Sequence, residues 1–182
     1  MNYKKWIFVA IFLFGIGLVL GLATPSSVIN PLSEDITAFQ ELGDILVPFR
    51  FLTVILILAK NASVLLLSFI LSPIFCLVPI LALTVNGWLI AFISATVIQE
   101  ESFGFVLAGL IPHGIFELPA FILGEAAALS FGPLAIGALF KKEKRALLLP
   151  GLKQNLRYLM VALVLLVPAA IVEIYITPLL LT

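Results

Sequence analysis

Charge is scarce in this sequence. Lysine, arginine, aspartate and glutamate together make up 11% of 182 residues, ten basic against ten acidic, so the formal net charge is zero. That removes the electrostatic footprint of a nucleic-acid-binding protein and leaves no polybasic surface domain. Cysteine occurs once, at Cys76, which excludes an intrachain disulfide. With His113 the sole histidine, no Cys/His cluster for a structural metal can be assembled. Nothing resembles a Ser/His/Asp constellation or a glycine-rich phosphate cradle, so the sequence is not read as an enzyme. What fills the space is apolar: 63% of residues are hydrophobic and mean hydropathy is +1.26. Soluble domains average about 25% charged residues and at most about half apolar ones. A water-soluble fold of this size could not bury so much apolar surface. The expected fold class is all-α, a polytopic membrane bundle forming a single domain over residues 1–182, with the lipid bilayer as its main partner and no nucleic acid.

A helix needs roughly 20 apolar residues to cross the hydrocarbon. Five stretches meet or approach that length: Trp6–Ala23, Ala62–Leu83, Thr84–Ile98, Ile115–Phe140 and Arg157–Leu181. The first follows Lys4 and Lys5 and exceeds the usual apolar core of a cleavable signal, so an uncleaved helix is expected. Two further apolar pieces, Phe51–Ala59 and Ser102–Ile111, are too short to cross and read as interfacial or re-entrant helices. Asn86-Gly87 reads as a site near a turn, and Glu100-Glu101 as a loop. Pro73, Pro79 and Pro119 mark kink points.

The one sizeable polar segment, residues 24–47, carries Glu34, Asp35, Glu41 and Asp44 and no basic residue. Ser33 before acidic residues reads as a helix cap, and Ile36, Phe39, Leu42, Ile45 and Leu46 recur at helical spacing, so an amphipathic surface helix is expected there. Basic residues favour the cytoplasmic side. Lys4, Lys5 and a basic loop from Lys141 to Arg157 therefore set the amino terminus in the cytoplasm and, with five crossings, the carboxyl terminus outside.

Ionisable groups inside a membrane cost about 2.5–3.5 kcal/mol each on insertion scales and mark functional or structural sites. His113 and Glu117 stand four apart on one helical face, with Glu125 about 80° further round at 100° per residue. Glu173 and Thr177 are also four apart, and Asn61 and Asn86 supply neutral donors and acceptors. Three uses of this intramembrane polar set stand open. The groups tie helices together, hold a metal ion or proton with His113 and Glu117 as the candidate ligands, or line a path for a small solute or lipid. No other cofactor is expected.

The run Pro112-His113-Gly114-Ile115-Phe116-Glu117-Leu118-Pro119-Ala120 resembles the P-H-G-x-x-E-hydrophobic-P-A hallmark of the stage II sporulation protein M family. Three weaker marks agree: Lys60-Asn61, where the family usually has paired asparagines, then Asn86-Gly87, then Ala170-Ile171-Val172-Glu173 with Thr177. The resemblance implies five membrane helices, a cytoplasmic amino terminus and no hydrolase activity. In spore-forming bacteria the family member is a scaffold that holds two peptidoglycan-degrading enzymes at the septum during engulfment, and relatives occur in organisms that make no spores. The expected function is a non-enzymatic scaffold that recruits cell-envelope partners. The alternative is a channel or transporter, working as a homo-oligomer, that uses the His/Glu cluster for an ion or small solute.

Overall fold

The structure, a computed structural model, describes residues 3–25, 49–74 and 76–181. Among these residues the chain forms five long helices and one short one: α1 (Tyr3–Ala23), α2 (Phe51–Leu71), α3 (Leu77–Glu100), α4 (Phe103–Phe140), α5 (Lys142–Tyr175) and α6 (Thr177–Leu180). All five long helices are apolar and long enough to cross a membrane. Large apolar side chains such as Phe8, Phe12, Ile70, Val164 and Phe103 project outward. In water such a surface would aggregate, whereas in lipid it is solvated. The protein is a multi-pass membrane bundle. The amphipathic helix expected around Ile36–Leu46 lies outside the described residues.

The five-span count holds, but the boundaries differ from those expected. Phe51–Ala59 is the first half of α2, which runs through Lys60 without a break. A lysine within a helix can send its charged end along a long aliphatic stem, so it need not mark a loop. The chain turns instead at Ser72–Cys76, where Pro73 discourages further helix and Cys76 adopts a left-handed backbone (φ 56°). Asn86-Gly87 is not near a turn but in the middle of α3. A Cβ on Gly87 would collide with the Phe14 carbonyl of α1, and one on Gly17 with the Thr84 carbonyl. The glycine is there because two helix backbones cross at van der Waals contact. Trp88 Nε1 adds a hydrogen bond to Thr24 Oγ1 (2.9 Å) at the end of the same crossing.

Ser102–Ile111 is likewise no separate piece. Ser102 caps α4 by accepting from the Phe105 N–H (3.1 Å), and the helix then continues past Pro112, Pro119 and Pro133 for 38 residues. Each internal proline removes one backbone hydrogen bond, which a membrane bundle tolerates when neighbours meet the freed carbonyl. Opposite Pro133 the Leu129 carbonyl faces the Cys76 Sγ at 4.0 Å. The basic run expected as a loop is mostly helix too: α5 begins at Lys142, with Lys141 alone between it and the end of α4. Arg145 Nε donates to the Ala138 carbonyl (3.1 Å) across that corner.

α4 and α5 form a long antiparallel hairpin. At 1.5 Å per residue the 38 residues of α4 measure about 57 Å, well beyond a hydrocarbon core of about 30 Å. α2 runs beside α4 in the same direction: Asn61 meets Glu117, Leu65 packs against Gly124, Phe69 stacks on Phe131 and Ser72 abuts Gly132. α1 runs alongside α3, also in the same direction. Its first residue is pinned to the hairpin, where the Tyr3 ring stacks on Tyr158 and its hydroxyl donates to the Leu123 carbonyl (2.6 Å). The core between them is lined by Leu65, Leu83, Leu129, Leu159 and Leu166, with Ala126, Ala127, Ala128 and Ala162 letting the helices approach closely. Lys4 and Lys5 follow Tyr3 and so lie at the level of Leu123 and Tyr158, about midway along the hairpin, whereas Lys141, Lys142, Lys144 and Arg145 stand at its tip, the basic end of the bundle.

Candidate functional site

A cavity of about 340 Å³ opens between α2, α3 and α4, in the part of the bundle away from the basic end. Its polar lining comes from Lys60 and Asn61 of α2, Asn86 and Ser94 of α3, and His113 and Glu117 of α4. Leu65, Leu89, Ile90, Phe121 and Leu166 supply apolar wall. The local reasons are simple. His113 and Glu117 stand four apart on the helix, so both side chains rise from one face, and Gly114 between them keeps that face low.

Glu117 is the hub. Its Oε1 accepts from Asn61 Nδ2 at 2.9 Å, and its Oε2 lies 3.7 Å from His113 Nε2. The other histidine nitrogen, Nδ1, sits 3.5 Å from the hydroxyl of Thr177 at the start of α6, which also donates to the Val172 carbonyl. One continuous chain of polar contacts thus joins α2, α4 and α6. His113 is 15% exposed and Glu117 31%, both facing the cavity. Glu173 is half-buried and within electrostatic reach of Glu117 and Lys60. The Asn86 amide donates to the Ala82 carbonyl of its own helix (2.8 Å), and its side chain lines the cavity.

The structure therefore brings together Asn61, Asn86, His113 and Glu117 around one space, with Glu173 and Thr177 at its edge. It separates Glu125, which the helical wheel had put on the same broad face. Glu125 is fully buried beside Ser68, beyond Leu65 and outside the cavity lining. His113 and Glu117 stand as a pair, and among the described residues no three His, Cys, Asp or Glu side chains converge as a metal-holding group.

Three buried polar residues carry no mark in the sequence analysis: Ser68, Ser130 and Asn155, the last inside the stretch from Lys141 to Arg157 that reads as a basic loop. Asn155 is instead fully buried on the inner face of α5, with its amide donating to the Gly151 carbonyl (2.9 Å). The available signal was periodicity. Once α2 is started at Phe51, Asn61 and Ser68 fall seven apart on one face.

The family model described as Stage II sporulation protein M matches residues 7–178. An uncharacterized protein of Methanocaldococcus jannaschii is 25% identical over 173 residues, covering 94% of this chain and 93% of that one. No solved structure matches.

Proposed function

Because the chain belongs to the stage II sporulation protein M family, we propose that it is a non-enzymatic membrane scaffold that holds cell-envelope proteins, peptidoglycan-remodelling enzymes among them. The observation that carries this reading is how the family-motif side chains are spent. Glu117 binds Asn61 of a neighbouring helix and His113 contacts Thr177 of another, so the motif works as interhelical glue rather than as a reacting centre. A rigid bundle is what a platform requires. The basic end belongs in the cytoplasm by the distribution of lysine and arginine, which sets the acidic 24–47 segment and the carboxyl terminus outside, toward the envelope.

The test is crosslinking in native membranes followed by capture of the tagged full chain. The expected outcome is enrichment of peptidoglycan-remodelling proteins, reduced when Glu34, Asp35, Glu41 and Asp44 are replaced by their amides. Equal enrichment on an unrelated five-helix protein would refute the scaffold. The cavity favours a second reading, binding or passage of an ion or small solute, because it gathers Lys60, Asn61, His113 and Glu117 around a space of solute size.

A further inference from the structure

Ser130 Oγ and Asn155 Oδ1 are buried with no hydrogen-bond partner among the described residues, and Ser68 Oγ and the carboxyl oxygens of Glu125, buried beside one another, meet nothing but each other. Leaving such a group unmet costs about 1–3 kcal/mol, so a bundle that keeps several has a use for them. Their placement is not scattered. Ser68 lies one turn beyond Leu65 on α2, and Glu125 directly follows Gly124, against which Leu65 packs. Ser130 stands five residues further along α4. Asn155 sits one turn from Gly151, which abuts Leu134, and so lies at the depth of Ser130. All four residues fall between the cavity floor and the basic end.

We propose that these groups continue the cavity into a proton path, with Glu125 as an occluded second station behind Leu65. The inference rests on the cavity reading, not on the scaffold. A proton taken up by the Glu117 carboxylate passes, through water admitted when Leu65 swings aside, to the Glu125 carboxylate, and Glu125 then releases it past Ser68, Ser130 and Asn155 toward the basic end, so that both carboxylates are restored. The two residues are eight apart, about 12 Å along the helix, so the transfer cannot be direct. Ser68, Ser130 and Asn155 supply the hydroxyl and amide groups that keep water in file beyond Glu125. The titratable and charged groups around the path are His113 and Glu117 on α4 itself, Lys60 on α2, Glu173 and Tyr158 on α5 and Tyr3 on α1. Cys76 faces it from the α2–α3 turn.

The experiment uses the purified full chain in vesicles loaded with a pH-sensitive dye, with a potassium-valinomycin potential as the driving force. The wild type is expected to carry protons above protein-free vesicles. Glu125→Gln and Ser68→Ala should each lower the rate, the first at least tenfold, Leu65→Ala should raise it several-fold, and Glu101→Gln should leave it unchanged. Each variant is first checked for monodisperse elution in detergent, and Ser68→Ala and Leu65→Ala carry the test if Glu125→Gln fails to fold. Flux lost in Glu117→Gln but retained at the wild-type rate in Glu125→Gln and Ser68→Ala would overturn the second station while keeping the cavity as an ion site. Flux no faster than in protein-free vesicles would overturn both.

Discussion

Replacing Asn61 and Glu117 by alanine, singly and together, measures how much of the bundle hangs on one contact. Asn61 Nδ2 to Glu117 Oε1 is 2.9 Å, and the glutamate is 31% exposed, so the bond sits in a partly desolvated wall. Interhelical hydrogen bonds in membranes average about 0.6 kcal/mol and reach about 1.7. A carboxyl acceptor strengthens the bond, since hydrogen bonds to charged groups contribute about 1.5–3 kcal/mol. The expected coupling energy from the double-mutant cycle is therefore about 1–2 kcal/mol. Glu117→Ala alone should cost more than Asn61→Ala, about 2–3 kcal/mol, because it also releases His113, 3.7 Å from the same carboxyl. Glu117→Gln keeps an oxygen in place for Asn61 and should fall nearer the wild type. The assay is reversible unfolding in mixed detergent micelles, followed by circular dichroism, for the wild type, both single variants and the double. A coupling below about 0.3 kcal/mol would show that the two side chains are neighbours without being partners, and would remove the support for the motif as glue.

Gly87→Leu should abolish the folded bundle, since even the first added carbon collides with the Phe14 carbonyl and no flexible atom can yield. Overpacking of this kind costs about 1–3 kcal/mol or more, and loss of monodisperse elution from a sizing column is the readout, with Gly15→Leu, where a Cβ meets nothing within 4 Å, as the tolerated control. Cys76 is the lone thiol, buried at the α2–α3 turn, and burial pushes its ionisation up, so it should resist maleimide at pH 8 in mild detergent and react fully after unfolding in SDS. Fast labelling of the native protein would contradict the packing of that turn against Gly132 and Leu129.

Composition alone made the number of crossings legible, because five apolar stretches leave few other solutions. Boundaries were not legible, and the reasons are particular. Lys60 and Asn86-Gly87 carry the usual marks of an ending, yet one charge can reach a cavity and one glycine can admit a neighbouring backbone. Neither fact is local to the sequence. Within the site, the His113–Glu117 pairing follows from i, i+4 spacing, so it could be read directly. The Asn61 partner lies 56 residues away and is fixed only by how α2 and α4 pack. Glu125 went astray because 80° on a wheel is a small angle on paper, whereas eight residues carry it past Leu65 to another depth. Asn155 was hidden by its lysine and arginine neighbours, which place its stretch in water by composition while its own face turns inward.

The α1–α3 crossing has a consequence for biosynthesis. Phe14 is made early, but Gly87, whose backbone it meets, follows 73 residues later. At roughly 5–20 residues per second the ribosome needs about 4–15 s to reach it. During that interval the glycine-marked face of α1 has left the ribosome without its companion, while α2, the next of the described helices, goes on to pack along α4. The first helix must therefore wait at the insertion site, its flat face turned to lipid or to the insertion machinery, until the third arrives to close over it.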